Sequence, residues 1–435
     1  MMRIGKTVFA GVLGALLLIG ISGTAMQASA QDQAAAKPAY TTEEYNAYMK
    51  GHTETDPQQQ IKLMDDFVAK YPSSALLAYA YNDYYNAYYK LKDYPKTVEY
   101  IDKLVAVSGD KLDPPSAVRL RLARAQTFLA GGTLPEFAKP EQQTKAKEQA
   151  QQGLKDLATL PKPDKVSDAD WDKQKKQITG IFDSVIATAD YATKDWSGSA
   201  QAYKTLIAED PSDPAAWSRL GVSLIQETPP QTLDGYWALA HAISMMKPPA
   251  DQSLRAYLKS QIQNYQQVGC ENLVDDEINS MVTLAATTPD RPTTFALPTS
   301  DDLTKARNDT ANFIPWLREG GDHGKLMWLA TCSLDYPEVT ALVISVDAPE
   351  GGPIVLHLCT GATAEETEAC KVADMDVKIA DQPDAKRIQP GDGVRFEGTL
   401  IGYDQNPAFM LHWDKGKVNP EDIPEPGKAK PKKKG

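Results

Sequence analysis

Residues 78–100 read AYAYNDYYNAYYKLKDYPKTVEY and hold eight tyrosines: Tyr79, Tyr81, Tyr84, Tyr85, Tyr88, Tyr89, Tyr94 and Tyr100. Tyrosine at this density either builds an exposed platform for a ligand or fills the space between two helices. Spacing sorts the residues between these uses. Tyr81, Tyr84, Tyr85 and Tyr88 recur at i, i+3, i+4 and i+7, one face of one helix, and are expected to pack on a partner helix. Asn82, Asn86 and Lys90 fall on another face, flanked by Tyr79 and Tyr89. That face is either a ligand-lined surface or an ordinary solvated one, and the sequence leaves both open.

Outward from this stretch, residues 41–268 repeat apolar positions at intervals of three and four. Breaks fall near Pro72, Pro114-Pro115, Pro161 and Pro163, Pro211 and Pro229-Pro230. Paired helices with no strand signal between them predict an α-helical solenoid over 41–268.

Two stretches carry a family likeness. In NDYYNAYYKLKDYPKTVEYIDKLV the stretch AYYKLKDY spans the tail of one helix and a turn. Tyr81, Tyr84 and Tyr88 take the aromatic, leucine and tyrosine positions of a 34-residue helical repeat, while Tyr85 replaces its glycine and Thr97 its alanine. In EDPSDPAAWSRLGVSL, Pro211 closes one repeat, and Trp217-x-x-Leu220-Gly221 opens the next. The region 41–250 therefore resembles tetratricopeptide (TPR) repeat proteins. The resemblance implies a concave groove lined by one helix of each pair, and places Tyr79, Asn82, Asn86, Tyr89 and Lys90 there as candidate binding residues.

After residue 268 the pattern changes. Residues 269–332 read as a helical linker region of short helices around TTPDRPTTFALPTS. Five strand-like segments follow: EVTALVISVDAP, PIVLHLCT, ADMDVKIAD, DGVRFEGTLIGYD and AFMLHWDKGKV, separated by Gly- and Pro-containing turns. The run PGDGVRFEGTLIGYDQNPAFMLHW resembles the fourth and fifth strands of bacterial OB-fold-like barrels. That resemblance implies a small OB-like β-barrel over 333–414. A β-sandwich stays open, because DQPDAKRIQP is too short for the helix such barrels carry before the fourth strand.

The chain opens MMRIGKTVFAGVLGALLLIGISGTAMQASA, with Arg3 and Lys6 ahead of an apolar run and an Ala28-Ser29-Ala30 cleavage pattern. This is the layout of a secretory signal peptide over 1–30, cleaved after Ala30, and the apolar run is short for a membrane anchor. A flexible leader at 31–40 follows. Loss of Arg3 and Lys6 takes the formal charge from −12 to −14, which disfavours general binding to nucleic acid. A disordered Lys/Pro-rich tail is expected over 415–435, carrying Lys428, Lys430, Lys432, Lys433 and Lys434. It either makes weak contact with anionic surfaces or merely solubilises the end.

Cys270, Cys332, Cys359 and Cys370 are the four cysteines, an even count in an exported chain. Disulfides, buried thiols and a metal are the readings, and no C-x-x-C pair favours the last. Cys359 ends one strand and Cys370 precedes the next, so adjacent strand ends can bridge them, leaving Cys270 with Cys332.

No chemical constellation stands out. EGGDHGKL at 319–326 lacks the first glycine and the final Ser/Thr of a phosphate-binding loop. His52, His241, His323, His357 and His412 are scattered, though His357 and His412 both fall on strands. The expectation is an exported, periplasmic, non-enzymatic scaffold without cofactor or metal. It would hold a protein or peptide partner of the cell envelope on the helical groove, with the barrel as a second contact face. The alternatives are an enzyme acting on an envelope polymer between solenoid and barrel, and a structural envelope protein without a groove.

Overall fold

A computed structural model describes residues 39–425, apart from 110, 111, 268, 269 and 362. The expected signal peptide at 1–30, most of the expected leader at 31–40 and the tail lysines lie outside the described residues. The chain divides into two compact units between Lys247 and Pro248.

The first unit is solenoid-like, a succession of helices each packed on the next: α1 (Thr42–His52), α2 (Pro57–Lys70), α3 (Leu77–Lys90), α4 (Tyr94–Ser108), α5 (Pro114–Gly131), α6 (Pro140–Thr159), α7 (Asp168–Thr193), α8 (Trp196–Glu209), α9 (Pro214–Gln226) and α10 (Thr232–Met245). Asp-Pro pairs start several of them. Asp56, Asp113 and Asp213 accept a backbone N–H at the N-cap, while Pro57, Pro114 and Pro214 occupy the first helical position. Proline is tolerated there because its missing N–H has no partner in the first turn.

Glycine sets the closest approach. A Cβ on Gly221 would fall 2.7 Å from the backbone oxygen of Gly235, so α9 and α10 pack through bare backbone. Trp217, in the same motif, is buried and donates its indole N–H to Pro211 O at 2.9 Å.

The second unit begins with α11 (Gln252–Gln266), α12 (Glu271–Ala285), α13 (Ser300–Asn308), α14 (Phe313–Glu319) and α15 (Gly321–Thr331). Within EGGDHGKL, Gly320 at φ 74° is the turn between α14 and α15, and residues 321–326 are the start of α15, so the stretch is not a phosphate loop. Five strands follow: β1 (Asp335–Asp347), β2 (Val355–Cys359), β3 (Met375–Ile379), β4 (Gly393–Asp404) and β5 (Met410–Val418). They close into a barrel in the order β1-β2-β3-β5-β4, which removes the sandwich alternative. All pairs are antiparallel except β3 with β5. A short 3-10 turn, Pro383–Arg387, links β3 to β4.

Inward side chains alternate along each strand, as a barrel interior demands. Leu356, Leu358, Val377, Val394, Phe396, Leu400, Leu411 and Trp413 form its core. Leu317 of α14 and Met327 of α15 are fully buried in the same cluster, so the lead-in helices belong to the barrel's fold. The strands continue past residue 414, to Val418, and Arg395 anchors the segment after β5 through Asp422 at 3.0 Å.

Both disulfides are formed. Cys359 and Cys370 have Cα atoms 6.1 Å apart, and Cys270 and Cys332 5.8 Å. The thiol and metal readings of these cysteines fall away.

Candidate functional site

Helix α3 divides its tyrosines by face. Tyr84 is buried, and its ring stacks on Tyr100 of α4 at 4.2 Å and 16°. Tyr88 stacks on the same ring at 5.4 Å. A buried hydroxyl needs a partner, and Tyr84 donates to Asp65 Oδ1 of α2 at 2.6 Å. Burial, then Asp65, raise its pKa, so it stays a donor. Tyr85, where the sequence resemblance would put a glycine, is buried among Ile101, Leu104 and Leu120. Bulk there fills a pocket reaching into α5 instead of permitting a close approach.

The opposite face holds most of the candidate residues. Tyr79 is 61% exposed. Asn82 is half-buried; Asn86 is exposed and donates through Nδ2 to Asn82 O at 2.8 Å. Lys90 is exposed on the same stripe. Tyr89 sits at the edge of it, half-buried, with its ring edge-on to Tyr94 at 5.9 Å.

Four further residues complete this face and carried no sequence signal. Asp83, at the centre of the stripe, is buried, and α1 supplies Tyr45, Tyr48 and His52. His52 Nδ1 lies 2.9 Å from Tyr48 Oη and 2.9 Å from Asp83 Oδ2. Burial raises the Asp83 carboxyl, and His52, Tyr48 and Lys90 draw it part of the way back. The Tyr48 phenol is raised by burial first and then by Asp83, so it too remains a donor. Tyr48 packs against Tyr79, ring centres 6.3 Å apart, and Tyr45 stacks with Tyr40 at 6.0 Å. Tyr45 is 42% exposed. The result is a fixed base of Tyr48, His52 and Asp83 with exposed rings of Tyr45 and Tyr79 above it. Such rings offer large contact area at little conformational cost.

On the barrel, a cleft of about 320 Å³ runs beside Gln382, Arg395, Phe396 and Lys417. Its polar groups are already engaged: Gln382 exchanges two hydrogen bonds with Val418, and Arg395 is held by Asp422 and Glu421. His357 and His412 both meet Asp376 on the barrel's outer face. Among the described residues no three His, Cys, Asp or Glu side chains converge to hold a metal ion. Comparison of the chain with protein-family models and with curated proteins gave no match.

Proposed function

We propose that the protein is an exported, non-enzymatic binding scaffold. A TPR-like helical unit holds a peptide or protein partner on the face of α1 and α3, and an OB-like barrel supplies a second contact surface. The observation that carries this reading is the pair of exposed tyrosines, Tyr45 and Tyr79, beside the contact that exposed His52 makes with buried Tyr48 and Asp83. Asn82, Asn86 and Lys90 extend the same face with amide groups and a cation. An extended peptide fits this chemistry, since ring faces take its apolar side chains and amides its backbone.

The repeat assignment draws support from the chain-order packing of the helices and from Gly221, whose place in the motif coincides with a backbone contact. The barrel assignment draws support from its strand order and from the parallel β3–β5 pair that closes it. The exported address rests on the first thirty residues, and an N-terminus at Gln31 on the mature protein would report the expected cleavage.

Selection of displayed random peptides on the mature chain tests the binding role. Selected peptides should bind, and Tyr79→Ala or Tyr45→Ala should weaken them at least about tenfold, the cost of one lost contact residue of about 1.4 kcal/mol. Peptides insensitive to both changes would place binding elsewhere and overturn the reading.

A further inference from the structure

The outer face of the barrel carries a row of titratable side chains that the binding role does not use. His357 on β2, Asp376 on β3 and His412 on β5 are direct cross-strand neighbours. Asp347 ends β1 and Asp404 ends β4, at the bases of the β1–β2 and β4–β5 turns. His357 Nδ1 lies 2.7 Å from Asp376 Oδ1, and its Nε2 lies 3.1 Å from Asp347 Oδ2. His412 Nε2 lies 2.9 Å from Asp404 Oδ2, and its Nδ1 lies 3.7 Å from the second oxygen of Asp376.

An ionised carboxylate only accepts. A ring with a carboxylate oxygen against each nitrogen satisfies both contacts only as imidazolium, when both nitrogens carry protons. Neutral imidazole has one N–H, so one of the two contacts must be given up.

We propose that His357 is a proton-operated latch: doubly protonated, it ties the end of β1 to β3 across β2, and loss of one proton releases the β1–β2 turn.

The surrounding charges reinforce the switch. Asp347 faces His357 from β1 and Asp376 from β3, while Lys378 lies on the same outward face of β3, opposite Val355. Beyond Asp376 stand His412 and Asp414 on β5 and Asp404 on β4. Once His357 is neutral, Asp347 and Asp376 keep their charges with no cation between them. Burial pulls the pKa of His357 down, but Asp347 and Asp376 outweigh it and hold it above the ordinary histidine value. A histidine whose folded pKa exceeds its unfolded one stabilises fully below the unfolded value, and the contribution is lost as pH rises through the folded value. The latch therefore closes on acidification and opens on the alkaline side of about pH 6.5, where an unperturbed histidine titrates.

The test uses the full chain. The His357 ring is followed by NMR from pH 5 to 9, and amide exchange in residues 347–355 is followed in parallel, corrected for the intrinsic pH dependence of exchange. His357 should titrate above the ordinary value. Corrected exchange in the turn should accelerate at least fivefold through that midpoint. Asp347→Asn, an exposed change, should lower the midpoint and flatten the exchange profile, while His412→Gln should leave the profile in place. Asp376→Asn provides a second variant that lowers the midpoint. A His357 midpoint at or below the ordinary value overturns the proposal. So does exchange in 347–355 that ignores the titration, or a profile that His412→Gln abolishes.

Discussion

Tyr84 and Tyr79 share one helix and do opposite work. Tyr84 is enclosed by Tyr100 and hydrogen-bonded to Asp65, so Tyr84→Ala should cost about 3–5 kcal/mol as a large aromatic deletion. Tyr84→Phe keeps the ring, loses the hydrogen bond and should cost about 1 kcal/mol. Tyr79→Ala should stay within about 0.5 kcal/mol, as exposed substitutions do. Denaturant unfolding of the three variants orders them directly. A second residue-scale test concerns charge. Burial and then Glu209 raise the pKa of the Asp183 carboxyl on α7. A raised carboxyl pKa means that ionisation works against the fold, with the penalty growing as pH rises through the folded value. Asp183→Asn should therefore raise the melting temperature at pH 7, with a smaller gain at pH 3, where the wild-type carboxyl is itself protonated. An equal gain at both pH values would remove charge as the cause.

At the scale of elements, contact geometry decides what each glycine tolerates. On α9, a Cβ at Gly221 meets a backbone oxygen of α10, which cannot swing away. Gly221→Ala should cost about 1–3 kcal/mol in overpacking, more than the roughly 1 kcal/mol that alanine returns in helix propensity. Gly180 on α7 has only Glu209 Oε2 at 3.6 Å, an ordinary contact with a mobile side chain. Gly180→Ala should thus stabilise by up to about 1 kcal/mol, and thermal melts of the pair should move in opposite directions. The elements themselves were legible in the chain. Alternation exposed the five strands because each has one face inside a barrel, and prolines marked breaks between helices because a helix interior does not tolerate them. The tyrosine periodicity separated Tyr84 from Tyr79 for the same reason. What stayed hidden was convergence between distant segments. Asp83 reads as one more acid on a helix, and only the packing of α1 on α3 brings it to His52, 31 positions away. Leu317 and Met327 look like ordinary helix residues, and only the closed barrel shows the core they enter. His357 and His412 are visible as strand histidines, but the strand register is what sets Asp376 between them.

For the whole molecule, the Pro/Thr-rich stretch 285–300 looks like a boundary by composition. It lies inside the second unit and within the loop closed by Cys270–Cys332. A proteolytic nick there should leave the two fragments together on a non-reducing gel and separate them after reduction. Separation without reduction would contradict that disulfide. The α1/α3 face as the place where a partner docks is tested most directly by the amide-exchange footprint of a selected peptide on the mature chain. Protection concentrated on residues 42–52 and 77–90, and lost in Tyr79→Ala, is the predicted result. A footprint on α7 to α10 or on the barrel, with α1 and α3 unchanged, would contradict it.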